Sequence, residues 1–151
     1  MVFTGWGGGE MSLLWRDQFS VGNNVIDSDH KHLIETINRV GQSAGTKNRV
    51  ELAAAFDALS RYSQAHFDRE EKIAYAVGYK QVPHLNQSHK ELLKQLAELG
   101  GEIDALGLEF PPEAVVHFTN FLGDWLINHI LREDRLMKPI LQKYSPNFFP
   151  E

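Results

Sequence analysis

Residues 52–77 read LAAAFDALSRYSQAHFDREEKIAYAV, and the positions that share one helical face recur at alternating intervals of four and three residues. Those positions are Leu52, Phe56, Leu59, Ser63, His66, Glu70, Ile73 and Val77. This spacing predicts an amphipathic α-helix with one face in a core. His66 and Glu70 lie four residues apart, so both side chains project from that face, one turn apart. Polar residues therefore occupy two positions where core residues are expected.

Three further segments show the same spacing, separated by glycines, prolines and polar residues. The four predicted helices run from Asp27 (as N-cap) to Ser43, from Asn48 (as N-cap, with Glu51 as capping-box partner) to Val77, from Leu85 to Leu106, and from Glu113 (after two prolines) through His129. The last helix continues or bends into residues 132–144. No segment alternates with the period of a strand. The prediction is an all-α, antiparallel up-down-up-down four-helix bundle with an N-terminal arm and a short C-terminal helix or tail.

Length and composition limit the possible partners. A chain of 151 residues suits one domain, which we divide into a flexible leader at 1–14, the bundle at 15–144 and a tail or linker at 145–151. The net charge of −5 argues against nucleic acid as a partner. The sequence has no apolar run of about 18 residues and no signal-peptide pattern, so we expect no membrane insertion and a cytoplasmic location. Because cysteine is absent, any metal must be held by His, Asp and Glu.

Polar residues interrupt the apolar face of every predicted helix. They are His30, His66, Glu70, His89 and His129. Any one of them alone is typical of a core histidine or an acid with a hydrogen-bond partner. Together they would place one carboxylate and four imidazoles in a single core, where an unpaired carboxylate costs on the order of several kcal/mol. A metal centre would satisfy all five at once.

The fourth helix offers two candidate carboxylates beside His129. Glu133 lies four residues after His129 and faces the same side on a straight helix. Asp134 lies five residues after it, which is about 140° away, so Asp134 reaches a shared metal only if the helix bends. Spacing alone leaves this choice open.

Several other metal and catalytic motifs do not occur in the chain. No Glu is followed three residues later by His, so the ligand pattern of ferritin-like di-iron oxidases is missing. There is no HExxH of zinc proteases, no His-Asp dipeptide of metal-dependent phosphohydrolases and no GxSxG nucleophile elbow.

Four motifs resemble the hemerythrin family, in particular its bacterial members. They are SVGNNVIDSDHKHL, HFDREE, PHLNQSHKELL and HILREDRLM, and the resemblance covers residues from Trp15 to about Leu141. The family has a His on the first helix, HxxxE on the second, HxxxH on the third and HxxxxD on the fourth. The resemblance implies two iron ions with an oxo or hydroxo bridge, and O₂ as their ligand.

The resemblance also implies which residues bind the irons. His30 and His66 would hold one iron, and His89 and His129 the other, together with a third histidine. Glu70 and Asp134 would bridge the two irons, so the family pattern selects Asp134 over Glu133. His32 and His117 match no ligand position, and we expect surface or structural roles for both.

The third helix departs from the family pattern. His84 precedes His89 by five residues instead of four, and Leu85 stands at the four-residue position. We expect a one-residue bulge to bring His84 back to the metal. In the alternative, Ser88 and Glu91 begin the helix late and His84 is not a ligand.

The function implied is binding of dioxygen, without catalysis, in a pocket formed by Leu33, Phe67, Trp125 and Leu126. We expect an oxygen or redox sensor domain that controls a signalling output. Its partner would be a C-terminal or separate signalling module, such as a cyclic-di-GMP enzyme or a chemoreceptor. The alternatives are a reversible oxygen carrier or store and, third, a di-iron oxidase or peroxidase.

Overall fold

The computed structural model describes residues 3–4, 12–107 and 110–150 and shows a four-helix bundle. Its elements are β1 Phe3–Thr4, β2 Ser12–Leu13, a 3₁₀ turn at Asp17–Phe19, α1 Asn24–Gly45, α2 Arg49–Ala76, α3 Val82–Ala105, α4 Pro112–Arg132, a second 3₁₀ segment at Asp134–Met137 and α5 Lys138–Leu141. α1 packs against α2 and α4, and α2 packs against α3. The prediction of an all-α antiparallel bundle is confirmed. β1 and β2 add one short antiparallel pair.

The first two helices begin at asparagine caps. The Asn48 side chain accepts a hydrogen bond from the Glu51 backbone N–H, as predicted. α1 begins earlier than predicted, because Asn23 accepts from the N–H groups of Val25 and Ile26. The prediction that Asp27 caps α1 is therefore wrong. Asp27 lies inside the first turn, where its carboxylate accepts from the backbone N–H of Val21.

α4 ends at the point where the helix has to bend if Asp134 is to face the same site as His129. Its last residue is Arg132, and Glu133 adopts φ −119° and ψ −57° before the 3₁₀ segment Asp134–Met137 begins. This change of helix type rotates Asp134 into the interior, where the side chain is fully buried. The chain thus bends after Arg132, as the five-residue spacing to Asp134 demanded.

Both ends of the described chain are tied to α1. Leu13 is fully buried, and its backbone N–H and C=O both bond to the Asn38 side chain, so the ordered arm begins inside the segment predicted as leader. Residues 1–2 and 5–11 of that segment lie outside the described residues. In the tail, the Pro146 carbonyl accepts from the Asn24 backbone N–H, and the Phe148 carbonyl accepts from the Asn23 side chain.

Two apolar clusters fill the bundle, and the polar residues of the predicted metal site lie between them. The larger cluster, here the main core, includes Leu33, Leu59, Phe67, Leu122 and Trp125. The smaller one, here the tail-side core, consists of Val21, Ile26, Ile73, Ala74, Val77, Leu85, Met137 and Leu141. Within the described ranges, none of the helices combines the length and apolarity that crossing a bilayer needs.

Candidate metal centre

Six titratable side chains from all four long helices and the 3₁₀ segment converge between the two cores. They are His30, His66, Glu70, His89, His129 and Asp134, and all are buried. Four imidazoles and two carboxylates are thus enclosed together. The sequence analysis selected each of them, and the structure brings all six together in two overlapping groups.

The first group consists of His30, His66, Glu70 and Asp134. His30 Nε2 lies 2.9 Å from Asp134 Oδ2, and His66 Nε2 lies 3.0 Å from Glu70 Oε2. The four ligand atoms lie within 4.8 Å of one another, a spacing at which they could surround one metal ion.

The second group uses the other oxygen of each carboxylate. His129 Nε2 lies 2.9 Å from Asp134 Oδ1, and His89 Nε2 lies 3.1 Å from Glu70 Oε1. Each carboxylate therefore offers one oxygen to each group. Two cations bridged by two carboxylates would account for this division, whereas a single cation would not.

Buried atoms without hydrogen bonds test whether a metal fits. His30 Nε2, His66 Nε2, Glu70 Oε2 and both Asp134 oxygens are buried and make no hydrogen bond, although their neighbours lie within contact distance. The nitrogen–oxygen contacts between these side chains are short, but their angles are not those of hydrogen bonds. Such an arrangement is expected of ligands whose lone pairs point at common ions between them. The donor set of imidazole and carboxylate suits iron.

Three carboxylates outside the groups orient the histidines. The Nδ1–H of His66 donates to Asp29 at 3.0 Å, that of His89 to Glu71 at 2.7 Å, and that of His129 to Glu133 at 2.6 Å. We call Asp29, Glu71 and Glu133 the outer carboxylates. Because they hold the proton on Nδ1, each Nε2 is left free to bind metal.

The sequence analysis did not assign this orienting role. A signal was available, because each outer carboxylate is adjacent in sequence to one of the six buried residues: Asp29 to His30, Glu71 to Glu70 and Glu133 to Asp134. Glu133 had been weighed only as a ligand. The bend after Arg132 allows Glu133 and Asp134 to contact opposite sides of the His129 ring.

Asp29 joins His66 to a network that reaches the surface. Arg69 donates to both Asp29 oxygens at 2.9 Å, and the Tyr62 hydroxyl donates to Oδ1 at 2.6 Å. Burial raises the pKa of Asp29, but hydrogen bonds from His66, Arg69 and Tyr62 outweigh it and hold that pKa well below its usual range. Burial and Asp29 together raise the pKa of Tyr62 to about 12. Asp29 is therefore ionised wherever the protein is folded near neutral pH.

Protons balance the two buried carboxylates when no cation is bound. Burial lowers the pKa of His30, but Asp134 and Glu70 outweigh it and raise that pKa to about 9. The pKa of His129 is raised in the same way, against the effect of burial, by Asp134, Glu133 and Glu70. Metal binding must displace these protons.

His84 lies outside the cluster. α3 is a regular helix from Val82, so neither the predicted bulge nor the alternative late start occurs, although the alternative's position of His84 away from the metal agrees with the structure. Five residues before His89 correspond to about 140° of rotation, which turns His84 outward, whereas four place Leu85 inward. The His84 side chain is 66% exposed, with Nε2 3.2 Å from Glu133 Oε1. The expectation that His84 reaches the metal is therefore corrected, since Leu85, 2% exposed, takes the inward position.

The residues expected to line the oxygen pocket are Leu33, Phe67, Trp125 and Leu126, and all four are buried in the main core. The Phe67 ring stacks on the His89 ring at a centroid distance of 4.1 Å and lies 6.3 Å from that of Trp125. Trp125 donates its indole N–H to the Leu92 carbonyl. Phe67 therefore forms an apolar cover over one side of the cluster.

The two remaining histidines lie at the surface. His32 is exposed and packs on the Tyr62 ring at 4.1 Å. His117 is exposed on α4 beside Phe118. Neither joins the groups of possible ligands found in the described part of the chain.

Comparison with known proteins supplies the family. The model of the hemerythrin HHE cation-binding domain matches residues 21–141, which include all six buried residues. The chain belongs to the hemerythrin family. As a hemerythrin it is an oxygen-binding protein with a non-haem di-iron centre, rather than an enzyme.

Individual relatives agree with the family model. A bacteriohemerythrin of Methylococcus capsulatus is 32% identical over 133 residues, which are 87% of this hemerythrin and 98% of the relative. One of Stenotrophomonas maltophilia is 28% identical, over 82% of this chain and 77% of its own length. The structure of a wild-type hemerythrin superposes with a TM-score of 0.74 at 30% identity, covering 85% of this chain and 97% of that chain.

Proposed function

We propose that this hemerythrin holds its two irons with the six buried side chains and works as an oxygen or redox sensor domain. His30 and His66 hold one iron, His89 and His129 hold the other, and Glu70 and Asp134 bridge them. The observation that carries this assignment is the division of both carboxylates, each of which directs one oxygen to each group.

The protein residues create the conditions for oxygen binding. When bound, the two irons supply the electrons that dioxygen accepts on binding. The outer carboxylates fix the rings of His66, His89 and His129, so little rearrangement of these rings is needed when the ligand arrives. Phe67, Trp125, Leu33 and Leu126 exclude water on the apolar side of the cluster, and no polar substrate-binding group is needed there.

The sensor assignment is supported by the path from Asp134 to the tail. Asp134 begins the 3₁₀ segment that continues through Met137 into α5, and residues 145–150 then bond to Asn23 and Asn24 at the start of α1. A shift of Asp134 between the reduced and oxidised centre would therefore act directly on the tail. We propose that a cytoplasmic signalling module, such as a cyclic-di-GMP enzyme or a chemoreceptor, responds to this change.

The second candidate function is a reversible oxygen carrier or store. One observation favours it: the match to the Methylococcus relative covers 98% of that protein, which therefore consists of little more than this domain. A carrier needs an oxygenated form that survives many cycles. Within the described residues the second group contains two imidazoles, since His84 is exposed and Leu85 takes the inward position one turn before His89, and we therefore expect rapid oxidation to the di-ferric state.

Two measurements on iron-loaded protein test these proposals. Metal analysis should give two irons per chain, and a Glu70→Gln variant should give fewer. The reduced protein should form an oxy spectrum that decays within minutes in air, and hydrogen exchange of residues 145–150 should differ between the reduced and oxidised forms. An oxy spectrum that lasts for hours, with unchanged exchange in the tail, would favour the carrier and refute the sensor.

A further inference from the structure

We propose that the iron held by His89 and His129 has its own exchangeable ligand position, which takes a small anion from the cleft between α3 and α4. This inference rests on the proposed function, because it assumes that the six buried residues hold two irons. It goes further by making both irons open to external ligands.

The two groups of side chains are equivalent in their ligand atoms. Each offers two imidazole nitrogens and one oxygen from each of two carboxylates. In the described part of the chain, no other His, Asp or Glu joins either group. Iron bound by imidazole and carboxylate accepts up to about six ligands, and open positions are where external ligands bind. With four protein ligands and the oxo or hydroxo bridge that the family resemblance implies, each iron keeps one open coordination position.

Leu85 is the residue that leaves the second position open. It lies one turn before His89 on α3 and faces inward, 2% exposed, among the apolar side chains of the tail-side core. Leucine has no donor atom, so this position cannot close the coordination of the iron. His84, the adjacent imidazole, is held at the surface by Glu133 at 3.2 Å and does not replace it.

A cleft between α3 and α4 gives solvent a route to this iron. Its cavity has a volume of about 520 Å³. The lining residues on α3 include Leu92 and Gln95, and those on α4 include Trp125, Asn128 and His129. His129 is one of the two imidazoles of the second group, and neither imidazole of the first group lines the cleft, so the cleft borders the second group and not the first.

The preference for an anion comes from the charge of the metal centre, because the charged side chains at the cleft are one arginine and two carboxylates. Two iron ions carry more positive charge than Glu70 and Asp134 cancel, and bound cations are the largest local charges in such a site. Arg132 lies on the rim, together with the acidic Asp124. Glu133, also on the rim, already accepts hydrogen bonds from His129 and Ser88 and contacts His84, so its oxygens are engaged by neighbouring side chains.

Titration of the di-ferric protein with azide tests the number of positions. The native chain should bind two azides per pair of irons. Leu85→His, which supplies an imidazole at the inward position, should bind one, while the volume-matched control Leu85→Met should still bind two. A single azide per fully loaded native centre would overturn the inference. A preparation with fewer than two irons per chain would instead contradict the proposed function.

Metal binding without redox chemistry gives an independent readout. In calorimetry with Zn²⁺, Leu85→His should bind one of the two ions more tightly by about tenfold or more, and Leu85→Met should leave both affinities unchanged. Equal Zn²⁺ affinities in all three proteins would mean that position 85 does not face the metal, which would refute the proposal.

A third variant keeps the test independent of the folding of Leu85→His. Gln95→Trp places a large ring in the cleft without replacing a ligand. It should slow one of two azide-binding phases at least several-fold and leave the other unchanged. If both phases keep their native rates, the cleft is not the route.

Discussion

Glu133 shows how one side chain can serve the metal centre without being a ligand. Its carboxylate accepts the Nδ1–H of His129 at 2.6 Å and the Ser88 hydroxyl, and it lies 3.2 Å from His84. Burial raises the pKa of Glu133, but His129 and Ser88 outweigh it and lower that pKa to about 2. Glu133 is therefore an anion at neutral pH and increases the donor strength of the His129 ring.

Glu133→Gln should weaken binding of the second metal ion by about tenfold to a hundredfold, the range typical for loss of such a partner. Competition with a chromophoric chelator measures this affinity. His84→Ala is the matched control, because it removes a solvent-exposed contact to the same carboxylate and should leave both affinities unchanged. Loss of metal in His84→Ala would show that His84 is a ligand after all.

His30 couples metal binding to pH. Its pKa in the metal-free protein is about 9, so at pH 7 a metal ion must displace a proton from the imidazole. The apparent affinity should rise as pH increases from 7 to about 9, because the His30 proton is lost over this range. Calorimetry in buffers of different ionisation enthalpy counts the protons released. No proton release at pH 7 would contradict the assignment of His30.

The same shift predicts how the stability of the metal-free protein changes with pH. The folded pKa of about 9 lies above the unfolded value of roughly 6.5, so protonated His30 stabilises the folded state. This contribution is fully present below the unfolded pKa and is lost as pH rises through about 9. Urea unfolding of the metal-free protein between pH 6 and pH 10 should show the decline, and a His30→Gln variant should show less of it.

The sequence predicted the six converging residues because each interrupts an apolar helical face or completes a family motif. Spacing could not choose between Glu133 and Asp134, because the bend after Arg132 depends on tertiary packing. The prediction for His84 was wrong because the α3 backbone stays regular where a bulge was expected. The outer carboxylates were missed because their role depends on which ring nitrogen they meet.

At the scale of the helices, two asparagine caps differ in what else they hold. Asn48 accepts one hydrogen bond, from Glu51. Asn23 accepts two, from Val25 and Ile26, and also donates to the Phe148 carbonyl of the tail. The start of α1 is therefore connected to the end of the described chain, while the start of α2 is a local structure.

Asn48→Ala should lower the free energy of unfolding by about 1 kcal/mol, and Asn23→Ala by about 2 kcal/mol, because the second variant also loses the bond to the tail. Urea denaturation of the metal-free protein measures both. Asn120→Ala, at an exposed position inside α4, is the control and should change stability by less than about 0.5 kcal/mol. Equal losses in the two cap variants would mean that the tail contact contributes nothing.

The helices themselves were predictable, but two of their starts were not. Asn23 and Asp27 are both good caps, and the pattern of apolar residues fits either start, so the sequence could not exclude Asp27. α3 begins at Val82 with Pro83 in its first turn, which is a known start signal.

At the scale of the whole molecule, the polar cluster divides the interior into the main core and the tail-side core. This division was not predictable from the apolar faces of the helices, because each apolar face runs continuously along its helix through both cores. Six buried titratable groups at the boundary are tolerated only when cations or protons balance them. The stability of the bundle should therefore change when bound metal replaces the protons that balance these groups.

Metal removal should lower the melting temperature of the whole bundle in a single transition. Free Zn²⁺ at a hundred times its dissociation constant would stabilise the folded state by about 2.7 kcal/mol for each site, because it binds the folded chain. For a domain of this size, about 1 kcal/mol corresponds to roughly 2–4 °C, so one site should raise the midpoint by about 5–11 °C.

Asp134→Asn, which weakens both sites at once, should show a much smaller difference between loaded and chelated protein. Because Asp134 connects α4 to the tail-side core, the two cores should melt together in the native protein. A loaded protein that melts at the same temperature as the chelated one would exclude this cluster as the metal centre.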